Sequence, residues 1–123
     1  MKVKFIIPFF LVFFIAKPTN AQKLNYKISE NANRMYLLEN YKRAKELYRE
    51  MYKKNYNNYQ NKYRFGVCLV YTYERKNALS LLNSTKTFPG TPKEVWFHIV
   101  KAYHLNNKFE QAISHYETYI KTD

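Results

Sequence analysis

VWFHIVKAYHLNNKFEQAISHYETYI, from Val95 to Ile120, contains two amphipathic segments separated by the polar residues Asn106-Asn107-Lys108. In each segment the apolar residues recur at the i, i+3, i+4, i+7 spacing of a helix. These residues are Trp96, Ile99, Val100 and Tyr103 in the first segment, and Phe109, Ala112, Ile113, Tyr116 and Ile120 in the second. The pattern predicts a helical hairpin, whose apolar faces must be covered by other parts of the chain.

The same pattern recurs upstream at a constant interval. Ala44, Ala78 and Ala112 lie 34 residues apart. The segment 40–48 matches 108–116 in its aromatic, alanine and tyrosine positions. We therefore expect three helical hairpins, at about residues 25–58, 59–92 and 93–123, and an all-α fold.

Helices are predicted at about 26–38, 41–54, 59–73 and 75–87, followed by the two already described. The β-branched and aromatic residues of 59–73 locally favour a strand, but the 34-residue register favours a helix. The strongest break in the chain is 88–92, FPGTP. It predicts that Thr91 caps the next helix and that Pro92 lies in its first turn.

A 34-residue period with a helical hairpin in each unit resembles the tetratricopeptide repeat (TPR) family. The matching positions are Ala32, Met35, Tyr41, Ala44 and Tyr48 in the first unit, Gly66, Leu69, Ala78 and Leu82 in the second, and Trp96, Tyr103, Phe109, Ala112 and Tyr116 in the third. The sequence departs from the family pattern at Tyr56, Lys62 and Val100. The resemblance implies an α-solenoid, a right-handed superhelical stack of three hairpins, in which Gly66 allows close helix approach.

The resemblance also implies that the first helix of each unit lines a concave groove for a partner peptide or protein. Projected onto this sequence, the groove residues are Asn33, Tyr36, Tyr63, Val67, Val70, Tyr71, Phe97, Lys101 and His104. Tyrosine offers a large contact area and a polar tip, and Lys101 and His104 add positive charge suited to a carboxylate. The alternative is that several of these side chains belong to the core, because the chain contains 13 tyrosines.

Residues 1–21 have the features of a secretory signal peptide. Lys2 and Lys4 precede a 12-residue apolar run, 5–16, and Thr19-Asn20-Ala21 precedes the expected cleavage point. A permanent membrane helix needs about 20 apolar residues, so it is the weaker interpretation. Residues 22–123 then form one small TPR domain, and we expect the protein to be exported and to be periplasmic or associated with the outer membrane.

The net charge of the whole chain is +12. Segment 22–64 contains 11 basic and 4 acidic residues, whereas 65–123 contains 7 and 5, so the first unit is the basic end. Such a surface suits an anionic glycan, lipid or acidic protein, and it is otherwise a solubilising helix surface. Export makes nucleic acid an improbable partner. Cys68 is the single cysteine, so no internal disulfide forms, and its apolar neighbours predict a small core residue.

No arrangement of residues indicates catalysis, a metal site or a cofactor. His98, His104 and His115 have no metal-ligand spacing, there is no glycine-rich phosphate loop, and Glu46 is placed to pair with Arg43 or Arg49 across a helical turn. We therefore expect a protein that is not an enzyme.

The strings YRFGVCLVY and KAYHLNNKFEQAISHYETYI also resemble the N-terminal TPR region of Gram-negative OmpA-like envelope proteins. This implies a non-catalytic scaffold or adaptor of the cell envelope that binds a partner in an aromatic concave groove. Outer-membrane or peptidoglycan association would then come through further domains or a partner. The alternative is an adhesion-type module that binds anionic glycan or lipid through the basic first unit. Because the last hairpin of a solenoid needs a cover, we expect a polar outer face, a second copy, a partner or more chain there.

Overall fold

The computed structural model describes residues 16–121, except for the side chain of Arg75, and this part of the chain contains six α-helices and no strand. The helices are α1 (Asn20–Leu37), α2 (Tyr41–Lys54), α3 (Tyr59–Tyr71), α4 (Arg75–Thr85), α5 (Val95–Leu105) and α6 (Phe109–Lys121). The prediction of an all-α fold is confirmed, and the segment with a local strand preference is helical. Each helix packs against the next in the chain, and α3 also packs against α5.

The turns after α1, α3 and α5 share one backbone conformation. Each contains a residue with positive φ followed by an amide that donates to the carbonyl five residues earlier, which is the Schellman motif. The positive-φ residues are Glu39 (58°), Tyr73 (62°) and Asn107 (58°). The hydrogen bonds run from Asn40 to Met35 (2.9 Å), from Glu74 to Leu69 (3.0 Å) and from Lys108 to Tyr103 (2.9 Å). The 34-residue sequence period is therefore also a period of the backbone.

Helix α3 forms the centre of the core. Seven of its thirteen residues are buried, from Tyr63 to Val70 with the exception of Arg64. A helix that is apolar on all sides must be covered on all sides, and α2, α4 and α5 cover it. Cys68 is fully buried, as predicted, and burial raises the pKa of its thiol to about 12. The thiol therefore stays protonated and unreactive at neutral pH.

The small residues of the repeat lie where helices approach closely. Ala44, Ala78 and Ala112 are each the fourth residue of their helix, and their exposed fractions are 0%, 0% and 8%. Gly66 of α3 faces Leu82 of α4, and a Cβ atom at Gly66 would lie 2.9 Å from the Leu82 Cγ and Cδ2 atoms. Because Leu82 is itself fully buried, it has little room to move away.

Two local predictions are wrong at helix starts. Helix α1 begins at Asn20 instead of about residue 26, because Thr19 and Gln22 form a capping box in which each side chain accepts a hydrogen bond from the other's backbone amide. Thr91 does not cap α5, whose N-cap is Glu94. The Thr91 hydroxyl instead donates to the Thr85 carbonyl (2.8 Å), so it closes the loop after α4.

The predicted signal peptide falls mostly on residues 1–15, which lie outside the described residues. Its last two residues, Asn20 and Ala21, form the start of α1, and all residues of 16–27 are exposed. This segment therefore adds no buried surface to the core.

Removal of the segment up to Ala21 should leave the fold almost unchanged. We expect a chain beginning at Gln22 to unfold in urea with a free energy within about 1 kcal/mol of a chain beginning at Pro18, because only the Thr19 cap is lost. Urea titration followed by circular dichroism measures both. A loss of several kcal/mol would mean that the start of α1 stabilises the core.

Replacement of Gly66 by alanine should destabilise the protein although alanine favours helix. Crowding against Leu82 is expected to cost about 1–3 kcal/mol and to outweigh a gain of about 1 kcal/mol in helix preference. Urea unfolding of Gly66→Ala in the wild-type and Leu82→Ala backgrounds gives a double-mutant cycle. The Gly66→Ala penalty should vanish in the Leu82→Ala background; an equal penalty in both would exclude this contact as its cause.

Candidate partner-binding surface

A continuous series of aromatic rings crosses all three helix pairs. We call it the aromatic band, formed by Tyr36, Tyr41, Tyr71, His98 and Phe97. The centroid distances between successive rings are 5.8, 4.5, 5.8 and 5.7 Å, and the Tyr41 and Tyr71 rings are stacked at an interplanar angle of 13°. Such pairs stabilise one another beyond the burial of their area. The band is therefore a rigid, partly exposed surface.

Two cations lie on the rings of the band. The Lys101 Nζ atom is 4.3 Å from the centroid of Tyr71, and the Arg64 guanidinium carbon is 5.4 Å from that of Tyr36. Both distances are typical of cation–π contacts. The rings thus fix the position of the positive charges, and Lys101 remains partly exposed.

Asn33 and Arg64 belong to a polar network beneath the band. The Asn33 amide oxygen accepts hydrogen bonds from the Tyr48 hydroxyl (2.8 Å) and from the Arg64 guanidinium. Tyr48 is fully buried, and a buried hydroxyl requires such a partner. Asn33 therefore holds α1 to α2 and α3, and its side-chain oxygen is already occupied.

Three predicted groove residues lie in the core. Tyr63, Val67 and Val70 have exposed fractions of 6%, 1% and 0%, because α2, α4 and α5 pack around this part of α3. Burial raises the pKa of the Tyr63 phenol to about 12. These three side chains lie below the surface and leave almost no area for a partner to contact. This agrees with the alternative that several predicted groove residues belong to the core.

Of the remaining predicted residues, Tyr36, Tyr71, Phe97 and Lys101 come together at the band, whereas His104 does not. His104 is exposed and lies near the end of α5, where its ring is 5.3 Å from that of Phe109 of α6. Tyr41 and His98 are not among the predicted groove residues. The sequence identifies Tyr41 only as a position of the repeat motif, because its stacking partner Tyr71 lies in a different helix and the stacked pair is visible only in the structure.

His98 is the one imidazole of the band. Its pKa is lowered to about 4, first by burial and then by the charge of Lys101, while Glu94 acts in the opposite direction. The rings of Tyr63 and Tyr71 lie against it, and its Nδ1 atom is buried without a hydrogen-bond partner. His98 is therefore neutral at physiological pH and contributes a ring, not a charge.

The described residues hold no cluster of three or more His, Cys, Asp or Glu side chains that could bind a metal ion. Between residues 16 and 121, no helix has both the length and the apolar character required to cross a membrane. No protein-family model, curated protein or solved structure matches this chain. The functional proposal therefore depends on the geometry of its own surfaces.

Acidification should destabilise the fold through His98. The folded pKa of about 4 lies below the ordinary value of 6.5, so the unfolded chain binds the proton first and stability falls as the pH drops from 6.5 towards 4. Between pH 7.5 and 5.0 we expect the free energy of unfolding to fall by about 2 kcal/mol, and His98→Phe should abolish this decrease. Urea titrations at both pH values measure it, with His104→Phe as the exposed-histidine control. Equal losses in wild type and His98→Phe would contradict this assignment.

Proposed function

We propose that this protein is a non-catalytic adaptor of the TPR type, an α-solenoid that binds a partner protein through the aromatic band. The three Schellman turns at 34-residue intervals support a repeat architecture, because helix pairs that end in the same backbone conformation can stack in the same way. The equivalent burial of Ala44, Ala78 and Ala112 supports it as well.

The observation that carries the binding proposal is the stack of Tyr41, Tyr71 and Lys101. Partly exposed tyrosines and cations held by aromatic contacts are typical of binding hot spots, since they lose little conformational freedom when a partner docks. Phe97 extends this surface with a ring that is 43% exposed. A segment with a carboxylate for Lys101 and an apolar side chain for Phe97 fits this chemistry best.

The proposed location follows from the N-terminal residues and the family resemblance. A signal peptide at 1–21 would export the chain, and an exported repeat adaptor is suited to the periplasm or the outer membrane. There its partner would be a protein of the cell envelope, and any contact with the outer membrane or peptidoglycan would be made by that partner or by further domains.

A second candidate function is binding of an anionic glycan or lipid through the first helix pair. In α2, Lys45 and Arg49 are engaged by Glu74, at 2.6 and 3.1 Å, and Arg49 also lies 3.6 Å from Glu46, as predicted. Other basic residues of α1 and α2 are exposed, namely Lys23, Lys27, Arg34, Lys42, Arg43, Lys53 and Lys54. These charges favour binding that disappears at high ionic strength.

Loss of the band should abolish partner binding without unfolding the protein. Residues 22–123 serve as bait in an envelope extract. We expect Tyr71→Ala/Phe97→Ala to recover at least tenfold less partner than the wild type, which corresponds to a loss of about 1.4 kcal/mol or more in binding free energy. The matched control is Tyr26→Ala/Tyr56→Ala, which removes two exposed tyrosines (69% and 61%) away from the band.

Partner recovery is measured by quantitative mass spectrometry after circular dichroism has shown that both variants are folded. Retention by the band variant would refute the proposed surface. Retention at low salt that collapses at physiological salt, equally in both variants, would instead favour the anionic glycan or lipid.

A further inference from the structure

Helix α6 exposes a continuous apolar stripe. Phe109, Ile113, Tyr116 and Ile120 follow the i, i+4, i+7, i+11 spacing, so they line one side of the helix, and their exposed fractions are 52%, 60%, 48% and 53%. A shallow depression of about 280 Å³ lies along this stripe and extends to Val100 and His104 of α5. Such a patch on a basic, water-exposed chain marks an interaction site.

The equivalent positions of α2 are covered by the helix that follows. Phe109, Tyr116 and Ile120 lie two periods after three tyrosines of α2, and each of these tyrosines contacts α3. Tyr41 stacks on Tyr71 at 4.5 Å, Tyr48 accepts from Arg64 at 3.4 Å, and the Tyr52 and Phe65 rings are 5.6 Å apart. The α6 stripe therefore has the pattern of a surface made to receive a helix.

Helix α4 shows the same relation to α5. The Lys86 ammonium, one period before Ile120, lies 5.4 Å from the Trp96 ring of α5. Leu82, one period before Tyr116, is fully buried, with Gly66 of α3 against it. Since α3 covers α2 and α5 covers α4, the interface that would cover α6 continues one already present twice in the fold.

The charge beside the stripe defines the kind of helix that fits. Glu110 and Glu117 each follow a stripe residue by one position and lie seven residues apart, so they flank the same edge, which ends at Lys121. Among the six described helices, α6 alone has an acidic residue in its first turn. A helix with an apolar face and a basic edge would pair with these carboxylates.

A second copy of the chain fits this stripe less well. The surface of α1 at the other end of the molecule carries Asn31 and Arg34, joined by a 3.2 Å hydrogen bond, where α3 has the buried Phe65 and Cys68. Stacking that end on α6 would bury polar groups against an apolar stripe.

We propose that the α6 stripe is a second docking site, separate from the aromatic band, whose occupant is a basic amphipathic helix of a partner protein. The occupant lies on α6 as α3 lies on α2. It presents a ring or large apolar side chain to Phe109 and Ile120, a hydrogen-bond donor to the Tyr116 hydroxyl, and lysine or arginine side chains to Glu110 and Glu117.

The test uses residues 22–123 and two synthetic helical peptides with the same leucine stripe, one with lysines and one with glutamates on the polar face. By fluorescence anisotropy at physiological salt, we expect the lysine peptide to bind at least about tenfold more tightly than the glutamate peptide. Ile113→Lys should weaken that binding by about tenfold or more, whereas Gln111→Lys, an exposed position on the opposite side of α6, should change it less than about twofold.

Two further variants separate charge and site. Glu110→Lys/Glu117→Lys should reverse the preference towards the glutamate peptide. Tyr71→Ala/Phe97→Ala should leave peptide binding unchanged, so a wrong assignment of the aromatic band can be distinguished from a wrong assignment of the α6 stripe. Equal binding of both peptides, or binding indifferent to Ile113→Lys, would overturn the proposal. A concentration-dependent dimer in sedimentation that Ile113→Lys abolishes would assign the stripe to a second copy instead.

Discussion

The whole architecture depends on the burial of α3. Its buried residues face in every direction, so this helix by itself would always expose apolar side chains to water. It is stable only when neighbours cover it, and α2, α4 and α5 do so. The close contact of Gly66 with Leu82 brings α3 and α4 together, and Ala44 of α2 and Ala78 of α4 are fully buried. The two proposed binding surfaces lie around this centre and do not form part of it.

The aromatic band and the core are two layers of one structure. Tyr63, Val67 and Val70 fill the space below, and Tyr41, Tyr71 and Lys101 lie above them, partly in water. Burial, the main cause in each case, raises the pKa of Tyr36, Tyr41 and Tyr71, so their hydroxyls remain protonated donors at neutral pH. A rigid base with ordered rings and fixed cations is suited to recognition, because little entropy is lost on binding.

The two ends of the molecule differ in chemistry although the repeat is the same. At positions where α3 and α5 have buried apolar residues, α1 has Asn31 and Arg34, which water can solvate. At positions where α2 and α4 contact the following helix, α6 exposes Phe109, Tyr116 and Ile120. One end is thus suited to solvent, whereas the other leaves large apolar side chains exposed.

The sequence by itself determined the helical class, the 34-residue period and the ends of most helices, because the spacing of apolar residues and of Ala44, Ala78 and Ala112 is a local property. It also determined that Cys68 is a core residue. Only the tertiary structure decided which tyrosines are buried. Tyr63 and Tyr71 lie on the same helix, yet Tyr63 is buried, whereas Tyr71 packs against Tyr41 of α2 and His98 of α5 and stays partly exposed. It likewise decided that Thr91 closes a loop and that the α6 stripe remains uncovered, because both depend on distances between segments far apart in the chain.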